Sequence, residues 1–209
     1  MHTRHELQNI ISGLGNNTGK NTIQAAANYL RQSKKTSRNA EEQEFTKEQE
    51  AAKLICWINE QDLWFNQHDE SRFLASGAEQ RVYLDQDSRF VYKLNDTIFY
   101  QFWLDYFYSL LIHNYFFPST SYELIGFFQE NNVLFAVVKQ YYVEMTAVTE
   151  VNAIRNLLSV NGFIHKKHND YFNPIIGIIL EDVHEENVLT NTDVLFFIDT
   201  VFYLDESFF

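Results

Sequence analysis

The chain has 209 residues, of which 45% are hydrophobic and 16% aromatic, which suits one ordinary domain with an appendage and a ring-rich core. Seven glycines and two prolines exclude collagen-like and low-complexity classes, and a single cysteine, Cys56, excludes an intramolecular disulfide. Net charge is −12, yet residues 1–40 hold six Lys/Arg (Arg4, Lys20, Arg31, Lys34, Lys35, Arg38) against Glu6 alone, leaving an acidic remainder that argues against nucleic acid as a partner.

The basic arm reads as a solvated tail, and its cations are not interleaved with the aromatics that a nucleic-acid contact favours. Met1–His5 leads into no apolar run, so no secretion signal is expected and a reducing cytoplasm is the default. Ile98–Phe117 is interrupted by Gln101, Asp105, His113 and Asn114, so no membrane span is expected there.

Residues 1–46 are expected to form a partly flexible arm with one helix, capped by Thr22 and presenting Ile23, Ala26, Ala27 and Leu30 on one face. The string G-L-G-N-N-T-G-K-N-T at Gly13–Thr22 lacks the P-loop spacing and its Ser/Thr, so it reads as a linker. Residues 47–62 form a packing helix, because Thr46 and Gln49 make a capping box and Ala51, Leu54, Ile55 and Ile58 recur at helical spacing. Cys56 on this helix is expected to be a small, partly buried hydrophobe.

From Arg72 the pattern becomes short strands: Phe73–Ala75, Arg81–Leu84 and Phe90–Leu94, with a turn at Asp85–Ser88. Lys93 stands in F-V-Y-K-L as either a solvent-facing residue of an alternating strand or a long-stemmed cation held among apolar neighbours. Phe99, Phe102, Trp103, Tyr106, Phe107, Leu110 and Leu111 trace one helical face. After Pro118, Tyr122–Phe128 and Val133–Lys139 make two more strands around Gln129–Asn132. Thr149 is expected to cap a further helix with Val151, Ile154, Leu157 and Leu158 inward, stopped by Gly162. His165 and His168 read as surface residues rather than metal ligands, and Ile175–Leu180 as a strand.

That strand delivers E-D-V-H-E-E-N-V-L, and a hairpin then leads to V-L-F-F-I-D. Asp182, Asn187 and Asp199 thus supply two carboxylates and a carboxamide near strand ends, a donor set that suits Mg²⁺ and, through it, nucleotide phosphates. A polar loop joining core strands is the plain alternative for any one of these acids.

The D-x-x-x-x-N spacing followed by a hairpin and an aspartate resembles the catalytic loop and metal aspartate of the protein kinase-like superfamily, and D-V-H-E-E-N is similar to the D-x-H-x-x-N form of aminoglycoside-type and other atypical kinases. A-S-G-A-E-Q-R-V-Y at Ala75–Tyr83 resembles a glycine-rich loop that keeps Gly77 alone, and a bulge in an ordinary hairpin explains it equally. Lys93, eleven residues after Val82, matches the strand lysine. From about Leu63 the chain is similar to the kinase domains of polyvalent proteins of phages and conjugative elements in Bacteroides-type bacteria.

The resemblance implies an α+β kinase-like fold: N-terminal helices, then a five-stranded antiparallel N-lobe with one helix over residues 63–143, then a truncated C-lobe over residues 144–209. It implies ATP and Mg²⁺ as cofactors. Gly77 and Lys93 would bind phosphates, Val138 and Gln140 of the hinge would offer backbone groups to an adenine edge, and Asn187 and Asp199 would hold the metal. Asp182 would accept or position the acceptor's proton, and His184 would lie near the γ-phosphate. The helix after Lys93 has no glutamate, and Asp105 is its nearest acid, with Glu123 a further candidate partner. The chain stops ten residues after Asp199. The expectation is therefore either a phosphotransferase for an unknown protein or small-molecule acceptor, alone or in a larger assembly, or a pseudokinase-like binding module.

Overall fold

A computed structural model describes residues 2–14, 21–37, 46–66 and 69–209. Most of the glycine-rich string before Thr22 lies outside the described residues, as do Lys20, Arg38 and the side chains of Lys34 and Lys35. The helices are α1 (His2–Ser12), α2 (Thr22–Ser37), α3 (Lys47–Gln61), α4 (Trp103–Phe116) and α5 (Val151–Val160). The chain divides into two compact units. One comprises Asn16–Phe107 and Tyr122–Tyr142, the other Met1–Gly15, Tyr108–Ser121 and Val143–Phe209.

The first unit is built on a five-stranded antiparallel sheet of β1 (Phe73–Ser76), β2 (Gln80–Leu84), β3 (Phe90–Asn95), β4 (Glu123–Glu130) and β5 (Val133–Tyr141), in the order β1-β2-β3-β5-β4. Asn131 and Asn132, both at positive φ, form the two-residue turn between β4 and β5, where left-handed geometry matches strand twist. Tyr83, Leu94 and Val137 alternate into one core, while Trp103, Phe107 and Phe127 pack as tilted and edge-to-face rings in another. Such ring pairs each add about 0.5–1.5 kcal/mol beyond burial.

Helix α3 starts at the expected capping box, with Thr46 and Gln49 satisfying each other's backbone N–H groups. Its exit segment runs beside β4, where Phe65 N–H donates to Phe127 O at 2.7 Å and Phe127 N–H to Leu63 O at 2.8 Å. The otherwise open edge of β4 is thereby covered. Gly126 permits this approach, since a Cβ there would lie 2.7 Å from Leu63 O. On α2, Ile23, Ala26, Ala27 and Leu30 are all buried, as the spacing predicts.

In the second unit β6 (Ile164–His165), β7 (Tyr171–Asn173), β8 (Ile178–Glu181) and β11 (Val201–Leu204) form an antiparallel sheet in the order β11-β8-β7-β6. The hairpin of β9 (Val188–Asn191) and β10 (Val194–Phe197) stands apart from that sheet and turns at Thr192 and Asp193, again both at positive φ. Leu7 and Ile11 of α1 share a core with Ile112, Ile154, Phe202 and Phe208. Gln8 donates to Phe208 O at 2.7 Å, and Arg4 donates to Ser207 O, so α1 is docked on residues near position 209.

Several local expectations change. Asn21, not Thr22, caps α2, because Asn21 Oδ1 accepts from Gln24 N–H at 3.2 Å. Thr149 is no helix cap; Glu150 precedes α5, and the Thr149 hydroxyl lies 2.9 Å from that of Thr190. Helix α4 begins at Trp103, leaving Phe99 61% exposed, because Thr97 turns the chain at φ +59. Ile175 and Ile176 are not strand residues, since Gly177 at φ +68 is needed to turn the chain before β8. Cys56 is exposed rather than partly buried. His165 and His168 are exposed, as the polar turn predicts. Among the described residues, no helix is long and apolar enough to cross a membrane.

Candidate functional site

The residues singled out from the sequence fall into two sets, Gly77, Lys93, Val138 and Gln140 in the sheet unit and Asp182, His184, Asn187 and Asp199 in the other. In the sheet, Lys93 lies on β3, flanked in register by Val82 of β2 and Val138 of β5. It is only 4% exposed, which removes the solvent-facing alternative. Its ammonium sits 5.4 Å from the centre of the Tyr122 ring, a cation–π distance.

Gly77 lies in the β1–β2 hairpin, and its N–H donates to Gln80 O at 2.9 Å. A Cβ on Gly77 would meet only that carbonyl, at 4.0 Å, so packing does not demand glycine there. Tyr142 N–H donates to Arg89 O at 2.9 Å, which sets the alternation along β5. Gln140 and Val138, two and four residues back, therefore direct their backbone groups toward β3. Tyr141 directs its own to the opposite edge, beyond Glu123, where the β4 pairing ends.

In the other unit β8 ends in a tight loop. Asp182 takes φ +60, a left-handed conformation that aspartate tolerates better than most residues. Asn187 holds it there, its Nδ2 donating to Asp182 O and to Asp182 Oδ2, both at 2.9 Å. His184 Nδ1 accepts from Glu186 N–H at 3.3 Å, and its Nε2 lies 3.0 Å from Asn187 Nδ2 and 3.3 Å from Asp182 Oδ1. Asp182 Oδ2 thus faces Asn187 and Oδ1 faces His184, and the side chain remains 59% exposed.

Asp199 joins this loop through its backbone. The N–H groups of Ile198 and Asp199 donate to Asn187 O at 2.9 and 3.3 Å. Thr120 Oγ1 donates to Phe197 O at 2.7 Å, and His113 lies 2.7 Å from Thr200 Oγ1 through Nδ1 and 2.9 Å from Thr120 O through Nε2. Phe117 stacks on Phe197 with ring centres 4.2 Å apart. The corner that carries Asp199 is therefore braced from both sides. His113, Thr120 and Thr200 have no motif to reveal them; a histidine inside an otherwise apolar run was their one signal.

Burial pushes the Glu181 carboxyl above its ordinary value, and Asp170 and Asp182 add to the effect while Lys167 opposes it. Among the described residues no three His, Cys, Asp or Glu side chains group as a metal site. Mg²⁺ needs less, because one or two protein oxygens suffice when water and phosphate complete its octahedron. Asn187 Nδ2 is engaged by Asp182 and lies 3.0 Å from His184 Nε2, and the chemistry of its remaining amide oxygen and of the Asp199 carboxylate is of the kind Mg²⁺ takes.

The antiparallel sheet with a buried strand lysine, and the loop and hairpin that bring Asp182, Asn187 and Asp199 together in chain order, define a kinase-like domain. The chain belongs to the family described as serine/threonine/tyrosine kinase found in polyvalent proteins, whose model matches residues 47–206. No curated protein and no solved structure matches it. The matched span begins at the first residue of α3 and leaves out α1 and α2.

Proposed function

We propose that the chain is an ATP- and Mg²⁺-dependent phosphotransferase acting on a hydroxyl acceptor, a protein or a small molecule. The observation that carries this reading is the Asp182–Asn187 pair, which is bonded through side chains and tied by the Asn187 carbonyl to the backbone of Asp199. Phosphoryl transfer asks a protein mainly for positioning and charge stabilisation, and this loop is oriented before any ligand arrives.

In this reading Asp182 accepts or positions the acceptor hydroxyl's proton, held at one oxygen by Asn187 and at the other by His184. His184 also stands toward the γ-phosphate. Asn187 and Asp199 hold Mg²⁺, which when bound neutralises the phosphate charge. Lys93 orients the phosphates, with Gly77 beside them. Of the hinge residues, the outward backbone of Tyr141 suits an adenine edge better than that of Val138 or Gln140, which faces β3. The single cysteine, exposed at Cys56, suits a reducing cytoplasm, and the resemblance favours a chain from a phage or other mobile element.

Asp182→Ala should abolish transfer of labelled phosphate from ATP to a panel of hydroxyl acceptors while sparing nucleotide binding. Undiminished transfer by that variant contradicts the assignment. One observation favours the second reading, a pseudokinase-like binding module: Gly77 N–H is already spent on Gln80 O, so the hairpin offers phosphate one donor fewer.

A further inference from the structure

The link between β3 and α4 is tied at both ends to α3. Glu50 is 1% exposed, and its Oε2 accepts the N–H of Leu104 at 3.1 Å. Leu104 is the second residue of α4, where backbone N–H groups lack partners within the helix and a carboxylate meets the positive end of the helix dipole. No side chain of the preceding turn supplies this acceptor; it comes from 54 residues upstream.

At the other end of the link, Lys47 Nζ donates to the carbonyl of Thr97. Thr97 is fully buried and left-handed at φ +59, an unusual state for a β-branched residue. Its N–H donates to Asn95 Oδ1 at 2.7 Å, and Tyr100 N–H donates to the same Thr97 carbonyl at 2.9 Å. The strained turn is thus held against the end of β3, two residues after Asn95, whose pair with Gln80 is the last of the β2–β3 ladder. Between the two ties, Tyr100 and Trp103 are buried while Ile98 and Phe99 stay exposed, so the two bonds hold the polar ends of a stretch whose rings are only partly packed.

We infer that Glu50 and Lys47 are positioning residues, which fix the first turn of α4, and with it Asp105, relative to Lys93 on β3. This rests on the kinase reading, in which an acid on this helix and the strand lysine work together on the phosphates. Asp105 directly follows the residue whose N–H Glu50 holds, and Lys93 lies two residues before Asn95, which holds Thr97. The pair therefore sets the start of the helix from one rigid element rather than from a loop.

The test is amide hydrogen exchange of the full chain over residues 97–107, with Glu50→Ala, Glu50→Gln and Lys47→Met, alongside kcat and KM for ATP. Glu50→Ala and Lys47→Met should speed exchange in this stretch by about tenfold or more, the scale of one hydrogen bond to a charged group. Glu50→Gln keeps an acceptor oxygen and should restore most of the protection. The same two variants should lower kcat more than they raise KM, with the β4–β5 hairpin as protected as in the wild type. Unchanged exchange at 97–107 in both Glu50→Ala and Lys47→Met overturns the inference, as does faster exchange with unchanged kcat. If Glu50→Ala fails to fold, Lys47→Met and Glu50→Gln decide it. Absence of any ATP-dependent transfer in the wild type refutes the kinase reading instead, and is distinguishable because the exchange measurement needs no nucleotide.

Discussion

Asn187 donates through one side-chain nitrogen to both the backbone oxygen and the carboxylate of Asp182, at 2.9 Å each. One carboxamide therefore fixes the left-handed backbone and the side-chain rotamer of the same aspartate. Asn187→Ala removes both bonds at a half-exposed position and should destabilise the chain by about 1–2 kcal/mol, the sum for two such bonds. Asp182→Asn should keep the fold within about 0.5 kcal/mol, because asparagine tolerates positive φ, yet eliminate phosphoryl transfer. Urea denaturation beside a transfer assay separates the two variants. Equal loss of activity and stability in Asp182→Asn contradicts the role given to the carboxylate.

Gly126 is the position at which β4 admits the segment leaving α3. A methyl group there would press on the Leu63 carbonyl at 2.7 Å and on Phe65 Cβ at 3.3 Å, both too close without backbone movement. Gly126→Ala should cost about 1–3 kcal/mol by denaturant titration, in the range of overpacked cores. A neutral effect shows that the covering segment is loosely held.

Glu181 gives a pH signature with a defined sign. Its carboxyl is raised above the ordinary glutamate value of 4.5, first by burial and then by Asp170 and Asp182. The folded state therefore binds the proton more tightly than the unfolded state does. The associated stability is fully present below the unfolded value and is lost as pH rises through the folded one. Glu181→Gln should match the wild type near pH 4 and become the more stable protein by about pH 7. Melting curves of both proteins across that range test it, and a wild type more stable at pH 7 contradicts it.

The features legible in the sequence are those whose cause is local. Thr46 and Gln49 lie three apart and satisfy each other, so the start of α3 is visible without its neighbours. The buried face of α2 follows from periodicity alone. Thr97 was opaque because its left-handed turn depends on Asn95 and on Lys47, fifty residues away. Ile175 and Ile176 look like strand residues until Gly177 turns beneath Phe208. In the candidate site, Asp182, Asn187 and Asp199 could be read from order and spacing, whereas the braces at His113 and Thr120 join segments 77 or more residues apart. The direction of the Val138 and Gln140 backbones was equally hidden, because ladder phase is set by pairing with Arg89 rather than by residue type.

Thermal melting with and without ATP and Mg²⁺, for the wild type and for Asp199→Ala, tests the central claim most directly. Ligand at 100 times its dissociation constant adds about 2.7 kcal/mol, or about 5–10 °C for a chain of this size. The account predicts that shift in the wild type and its loss in Asp199→Ala. No shift in the wild type contradicts a nucleotide site built on Asn187 and Asp199.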